Sequence, residues 1–115
     1  REAAGAWIDF DLFGHQLSAH RAPEECRPAA ASGQVDGEAV PVRHFGVILD
    51  WDDWETLAAR LKEARADFIM DPHVRFVGEA GEQGTFFVRD PSGNALEFKT
   101  FRDDAQVFAR DTDGS

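Results

Sequence analysis

Val42–Met70, "VRHFGVILDWDDWETLAARLKEARADFIM", changes its hydrophobic period twice, and those two changes decide the fold. Val42–Asp50 is rich in β-branched and apolar residues and reads as a strand. From there Trp54, Leu57, Ala58, Leu61 and Ala64 recur at helical spacing, while Glu55, Arg60, Lys62 and Glu63 take the opposite side. Asp50 is the expected N-cap, and the acidic residues of the first turn complement the helix dipole. "DFIM" (Asp67–Met70) then returns to a short strand.

Towards the C-terminus, "DPHVRFVGEAGEQG" (Asp71–Gly84) is rich in turn formers, with a short strand placed at Val74–Val77. "TFFVRD" (Thr85–Asp90) and "ALEFKTF" (Ala95–Phe101) form a closing hairpin. Asp90-Pro91-Ser92-Gly93 has the residue order of a type I turn. Glu97 is a carboxylate in the middle of that last strand, where carboxylates are disfavoured and costly to bury alone. By alternation it shares a face with Ala95, Lys99 and Phe101, while Leu96, Phe98 and Thr100 face the helix. Polar residues 102–115 read as a tail that frays after Phe108.

Towards the N-terminus, Trp7–Phe13 alternates as a strand, Gly14 breaks it, and His15–His20 returns as its hairpin partner. Gln16, Ser18 and His20 share one face of that return. Residues 21–41, with three prolines and two glycines, read as a linker between two structural units.

The 115 residues suit one domain, and 43% apolar content with 10 Phe and 3 Trp argues for a packed core. The net charge of −10, with no cluster of Lys or Arg, argues against nucleic acid and anionic membrane as partners. Cys26 stands alone, so the chain has neither a disulfide framework nor a thiolate zinc site, which fits a cytoplasmic setting. No apolar run approaches the ~18 residues of a membrane helix, and no signal-peptide pattern is visible. The chain starts without methionine, which leaves room for residues upstream of Arg1.

The β-α-β-β-β order from Val42, opening with "HFGV" and closing with "DPSGNALEF", resembles the vicinal oxygen chelate superfamily. Its members include glyoxalase I, extradiol dioxygenases, and the bleomycin and fosfomycin resistance proteins. The resemblance implies an α+β fold of paired βαβββ modules forming a cupped mixed sheet. Residues 1–20 would be the end of a first module that is incomplete in this chain, and 42–101 the second module. It also implies a divalent metal (Fe, Mn, Ni or Zn) in the cup, with His44 and Glu97 at ligand positions. Aligning Gly14 with Gly93 puts Ser18 where an acidic ligand stands in glyoxalase I, and His20, two residues on, becomes the substitute ligand. A further ligand would come from an opening strand upstream of Arg1.

The residues themselves are compatible with that set. Imidazole and carboxylate bind such metals and leave positions open for a bidentate substrate. Gly46, beside His44 on its strand face, leaves room for a ligand or for close approach of another backbone. On pattern alone, a strand histidine and a solvated strand glutamate are the commoner readings, and the resemblance reverses that preference. His73 is a candidate acid or base in the cup, and Phe87, Phe101 and Trp7 are candidates for its substrate-binding apolar wall. Core packing explains those aromatics equally well. Arg75 and Arg89 read as solvated cations with the alternative of binding an anionic substrate, and His15 as a turn residue.

The expected function is a metal-dependent enzyme of dioxygenase or lyase/isomerase type. It would hold two neighbouring oxygens of a small substrate and stabilise the charge that develops on them. The alternative is a metal-free binding protein of the bleomycin-resistance kind, whose −10 charge suits a cationic drug in a groove between two chains. Either way a homodimer is expected.

Overall fold

The computed structural model describes residues 1–27, 31–35 and 38–110. Its main unit is a four-stranded sheet backed by one helix. The strands are β6 (Phe45–Ile48), β7 (Asp67–Arg75), β8 (Gln83–Arg89) and β9 (Ala95–Phe101), in spatial order β6-β9-β8-β7. The helix α1 (Trp51–Glu63) connects β6 to β7. β6 runs parallel to β9, and the other pairs are antiparallel. The β-α-β-β-β order read from the sequence is therefore the observed one.

One face of this sheet packs on the helix. Trp54, Ala58, Leu49, Phe86, Val88 and Phe98 form the buried cluster, with Leu57, Leu61, Val47 and Leu96 packed around it. The Trp54 indole N–H reaches through that cluster and donates to the Phe98 carbonyl at 2.9 Å. Gly84 is required here, because a Cβ would come within 2.8 Å of the Trp54 ring. Asp50 has the extended backbone of an N-cap but makes no side-chain capping bond. Asp52 and Asp53 keep the first turn acidic, which is the part of the start signal that the structure retains.

Elsewhere three short strands, β1 (Glu2–Ala3), β2 (Trp7–Leu12) and β3 (His15–His20), form a separate antiparallel sheet. The hairpin β2–β3 matches the sequence reading, and β1 adds a strand too short to carry a period. Leu12 links this sheet to the helix-side core. The two sheets are not joined into one cupped sheet among the described residues.

Three readings change. Residues 21–41 hold more than a linker: a short 3-10 turn at Pro23–Glu25 precedes a hairpin of β4 (Ala31–Val35) and β5 (Glu38–Pro41). Val40 and Pro41 are buried, and Val40 clusters with Met70 and Phe87. Secondly, the strand expected at Val42–Asp50 shrinks to Phe45–Ile48, whereas "DFIM" extends to Arg75 through Pro72. β7 tolerates that proline because it is an edge strand with register shifts between Phe68 and His73. Thirdly, the C-terminal segment is not only a polar tail. A 3-10 turn at Asp104–Gln106 is capped by the Asp103 carboxylate, and Gln106 and Val107 are half-buried. The fraying expected beyond Phe108 falls largely on residues 111–115, outside the described residues.

Candidate functional site

The second face of the β6-β9-β8-β7 sheet carries the polar side chains. Cross-strand register arranges it in rows: Met70–Phe87–Glu97, then His73–Thr85–Lys99, then Arg75–Gln83–Phe101. The helix-facing rows between them are mainly apolar, with Thr100 as the buried polar exception, so alternation on β9 turns Glu97 and Lys99 away from the helix. The turn before β9 sets that phase. Asp90 accepts from the backbone N–H groups of Ser92 and Asn94 and from the Asn94 amide, and the Gly93 N–H donates to the Asp90 carbonyl at 3.0 Å.

His44 immediately precedes β6 and lies over Glu97. Its Nδ1 is 2.7 Å from the Pro41 carbonyl oxygen. A carbonyl can only accept, so Nδ1 carries the hydrogen and Nε2 of the neutral ring presents its lone pair. That Nε2 stands 3.4 Å from Glu97 Oε1. In the neutral ring two lone pairs face one another, and only a proton or a cation turns the contact attractive. Both side chains are partly withdrawn from water, at 28% and 16% exposure.

The rest of the chain holds this pair in place. Glu97 Oε2 accepts from the hydroxyl of fully buried Thr85 at 2.8 Å, and Lys99 Nζ lies 3.8 Å from the same oxygen. Phe87 meets the His44 ring edge-on with centroids 4.9 Å apart. Gly46 pairs with Glu97, and a Cβ at Gly46 would collide with the Glu97 carbonyl. Of the two roles the sequence left open for Gly46, the structure has the close backbone approach.

A metal fits this donor pair. Ligand bonds of ~2.0–2.2 Å in tetrahedral geometry separate adjacent donors by roughly 3.3–3.5 Å, which matches the His44–Glu97 spacing. The Nδ1–H bond to a carbonyl is the outer support that metal-binding histidines commonly have. Two donors do not make a full set, and no group of three His, Cys, Asp or Glu side chains is poised for a metal among the described residues. His20 is exposed on β3 and is not grouped with the pair.

The remaining candidates are dispersed. Phe87 has no exposed surface, so it supports the His44 ring from below and does not present a wall to a ligand. His73 stands half-buried on the same face as Glu97, in the row of Thr85 and Lys99. Trp7 is half-buried beside His20 in a shallow depression of the first sheet, under the guanidinium of Arg1. Phe101 lies at the other end of the Glu97 face and lines a cleft of about 630 Å³ together with Arg75, Gln83, Lys99 and Val107. The sequence missed Thr85 as a partner of Glu97 and the cleft's C-terminal wall. Thr85 was legible only through register, since it lies two residues before Phe87 on the strand facing Glu97.

The fold has counterparts among known proteins. The family model described as the glyoxalase/bleomycin resistance protein/dioxygenase superfamily matches residues 4–98. The chain belongs to that superfamily. Among solved structures, a glyoxalase/bleomycin resistance protein/dioxygenase from Alicyclobacillus acidocaldarius is similar at 29% identity and a TM-score of 0.73, covering 94% of this chain and 76% of that one. A genomically encoded fosfomycin resistance protein from Listeria monocytogenes has 10% identity and a TM-score of 0.61, covering 88% and 70%. A lactoylglutathione lyase from Agrobacterium tumefaciens has 20% identity and a TM-score of 0.55, covering 87% and 72%. The last two share the superfamily fold. No curated protein matches the sequence. No helix among the described residues is long and apolar enough to cross a membrane.

Proposed function

We propose that this superfamily member is a metal-dependent enzyme acting on a small molecule, with His44 Nε2 and Glu97 Oε1 as metal ligands. The observation that carries the reading is the geometry of His44: with Nδ1 2.7 Å from the Pro41 carbonyl oxygen, Nε2 is left facing Glu97 Oε1 3.4 Å away, a donor spacing that a metal ion satisfies. A bound ion would supply Lewis-acid stabilisation of negative charge developing on two neighbouring substrate oxygens.

The chain's own residues have definite parts in this reading. Thr85 fixes the Glu97 carboxylate so that Oε1 faces His44, and Phe87 holds the imidazole plane. His73, on the same face, is the candidate acid or base. His20 would complete the ligand set from a second copy across a homodimer. The metal-free alternative, capture of a cationic drug, draws on the −10 charge alone, whereas the face around Glu97 carries Lys99 and Arg75.

Equilibrium dialysis against Fe(II), Mn(II), Ni(II) and Zn(II) tests the proposal. Stoichiometric binding of at least one ion is expected, weakened by at least about 100-fold in His44→Ala and in Glu97→Ala. Binding of none of the four ions rejects the enzyme reading. Unchanged affinity in both variants rejects the site.

A further inference from the structure

We infer that the cleft beside the His44–Glu97 pair is a binding pocket for a small organic anion, and that Lys99 couples its occupancy to cation binding at Glu97. The inference rests on the metal reading for the coupling, and on the cleft alone for the anion.

The cleft, about 630 Å³, is of a size that suits a small-molecule ligand. It continues the Glu97 face along β9, because Lys99 and Phe101 follow Glu97 at alternate positions and Arg75 and Gln83 extend the Phe101 row. Its walls are the segment after β7, bearing Phe76 and Glu79, and the segment after the C-terminal 3-10 turn, bearing Val107. Both walls are tied down: Glu82 accepts from the Gly78 N–H at 2.9 Å and from Arg102 Nε at 3.0 Å, and the Arg102 N–H donates to the Glu82 carbonyl at 3.1 Å.

Charge chooses the ligand. Arg75 and Lys99 both line the cleft, and Glu79 is the carboxylate that lines it. In a chain of net charge −10, two lining cations against one lining carboxylate depart from the overall balance, with Lys99 also shared with Glu97. The Phe76, Phe101 and Val107 side chains offer an apolar surface beside the cations, which suits a carboxylate or similar oxyanion carried on an apolar body.

Lys99 belongs to both places. Its Nζ is 3.8 Å from Glu97 Oε2, close enough for an ion pair but beyond hydrogen-bonding distance, so its N–H donors remain available to another acceptor. A divalent cation on Glu97 would take over neutralisation of that carboxylate and shift Lys99 towards the cleft. Metal and anion then strengthen each other's binding by the same factor.

The probe is benzenesulfonate, an oxyanion on an apolar ring that coordinates metals weakly, with neutral methyl phenyl sulfone as its control. Each is titrated into the protein with and without Zn(II), followed by amide NMR. Benzenesulfonate should shift the signals of Gln83, Lys99 and Phe101 and bind at least about tenfold more tightly than the sulfone. Zn(II) should tighten the sulfonate by at least about fivefold. Lys99→Met should lose about tenfold in sulfonate affinity together with the Zn(II) effect, and Lys99→Arg should restore the former. Equal affinity for sulfonate and sulfone, or shifts that map elsewhere, overturns the anion pocket. A Zn(II) effect undiminished in Lys99→Met overturns the coupling. If Zn(II) does not bind, the titrations are repeated with Fe(II), Mn(II) and Ni(II); failure of all four ions to bind rejects the metal reading and the coupling together, while the metal-free titrations still decide the pocket.

Discussion

Gly46 lies so close to the backbone of Glu97 that the Cβ it lacks would fall on the Glu97 carbonyl oxygen. β6 and β9 are adjacent and parallel there, and that approach is what brings His44 over the carboxylate. A contact of this kind cannot be relieved by a side-chain rotation, because both partners are main chain. Gly46→Ala should therefore separate β6 from β9, costing about 1–3 kcal/mol of stability in urea unfolding. Metal affinity should fall in the same variant even though both ligands remain.

Thr85→Val tests the support of Glu97 without changing a ligand. The hydroxyl bond to Oε2 disappears while volume is nearly kept. Metal affinity is expected to fall by about 10- to 100-fold, and Thr85→Ser should recover most of it. Unchanged affinity by calorimetry would show that Thr85 only fills space.

Trp54→Phe is the complementary experiment, on the other side of the sheet. It removes the indole donor from the Phe98 carbonyl and leaves that buried acceptor without its partner. A loss of about 1–3 kcal/mol is expected in chemical denaturation. Metal affinity of the folded variant should match the parent within about twofold, because Trp54 packs on the helix side of the sheet and shares no partner with the Glu97 side chain on the other side.

The Glu82 latch predicts an acid-sensitive segment. The Gly78 N–H bond, and then the Arg102 bond, hold the Glu82 carboxyl below the ordinary glutamate range. A carboxyl lowered in the folded state contributes stability above its unfolded pKa and loses it as pH falls through its folded pKa. Hydrogen exchange in residues 76–82 should accelerate across that acidic interval relative to the rest of β7 and β8. In Glu82→Gln the exchange should be fast already at neutral pH and lose this acid step.

The sequence revealed the βαβββ order and the face of β9 that Glu97 takes, each through a period that the backbone must obey locally. That His44 lies near Glu97 followed only from the family resemblance, not from either residue's own pattern. Less was legible where a signal was short or context decided. β4 and β5 were hidden by Pro and Gly in residues 21–41, although Val40 becomes part of the Met70–Phe87 cluster. β7 passes through Pro72, which only an edge position permits, and edge status is a property of the finished sheet. Phe87 was a candidate wall and is instead a buried support, because a strand pattern gives a residue's face but not what covers it. The Thr85–Glu97 bond needed the β8–β9 register, which fixed-spacing motifs do not contain.

Strand β9 carries a consequence for how such a protein can change. Phe98 and Thr100 are committed to the helix side, and Glu97, Lys99 and Phe101 to the opposite side. Mutations at positions 97, 99 and 101 can therefore alter ligand preference while leaving the helix side untouched, and mutations at positions 98 and 100 do the reverse. Seven residues in a row thus offer two nearly separate mutational targets. A library restricted to positions 97, 99 and 101 should yield folded proteins at high frequency, with the variation confined to what they bind.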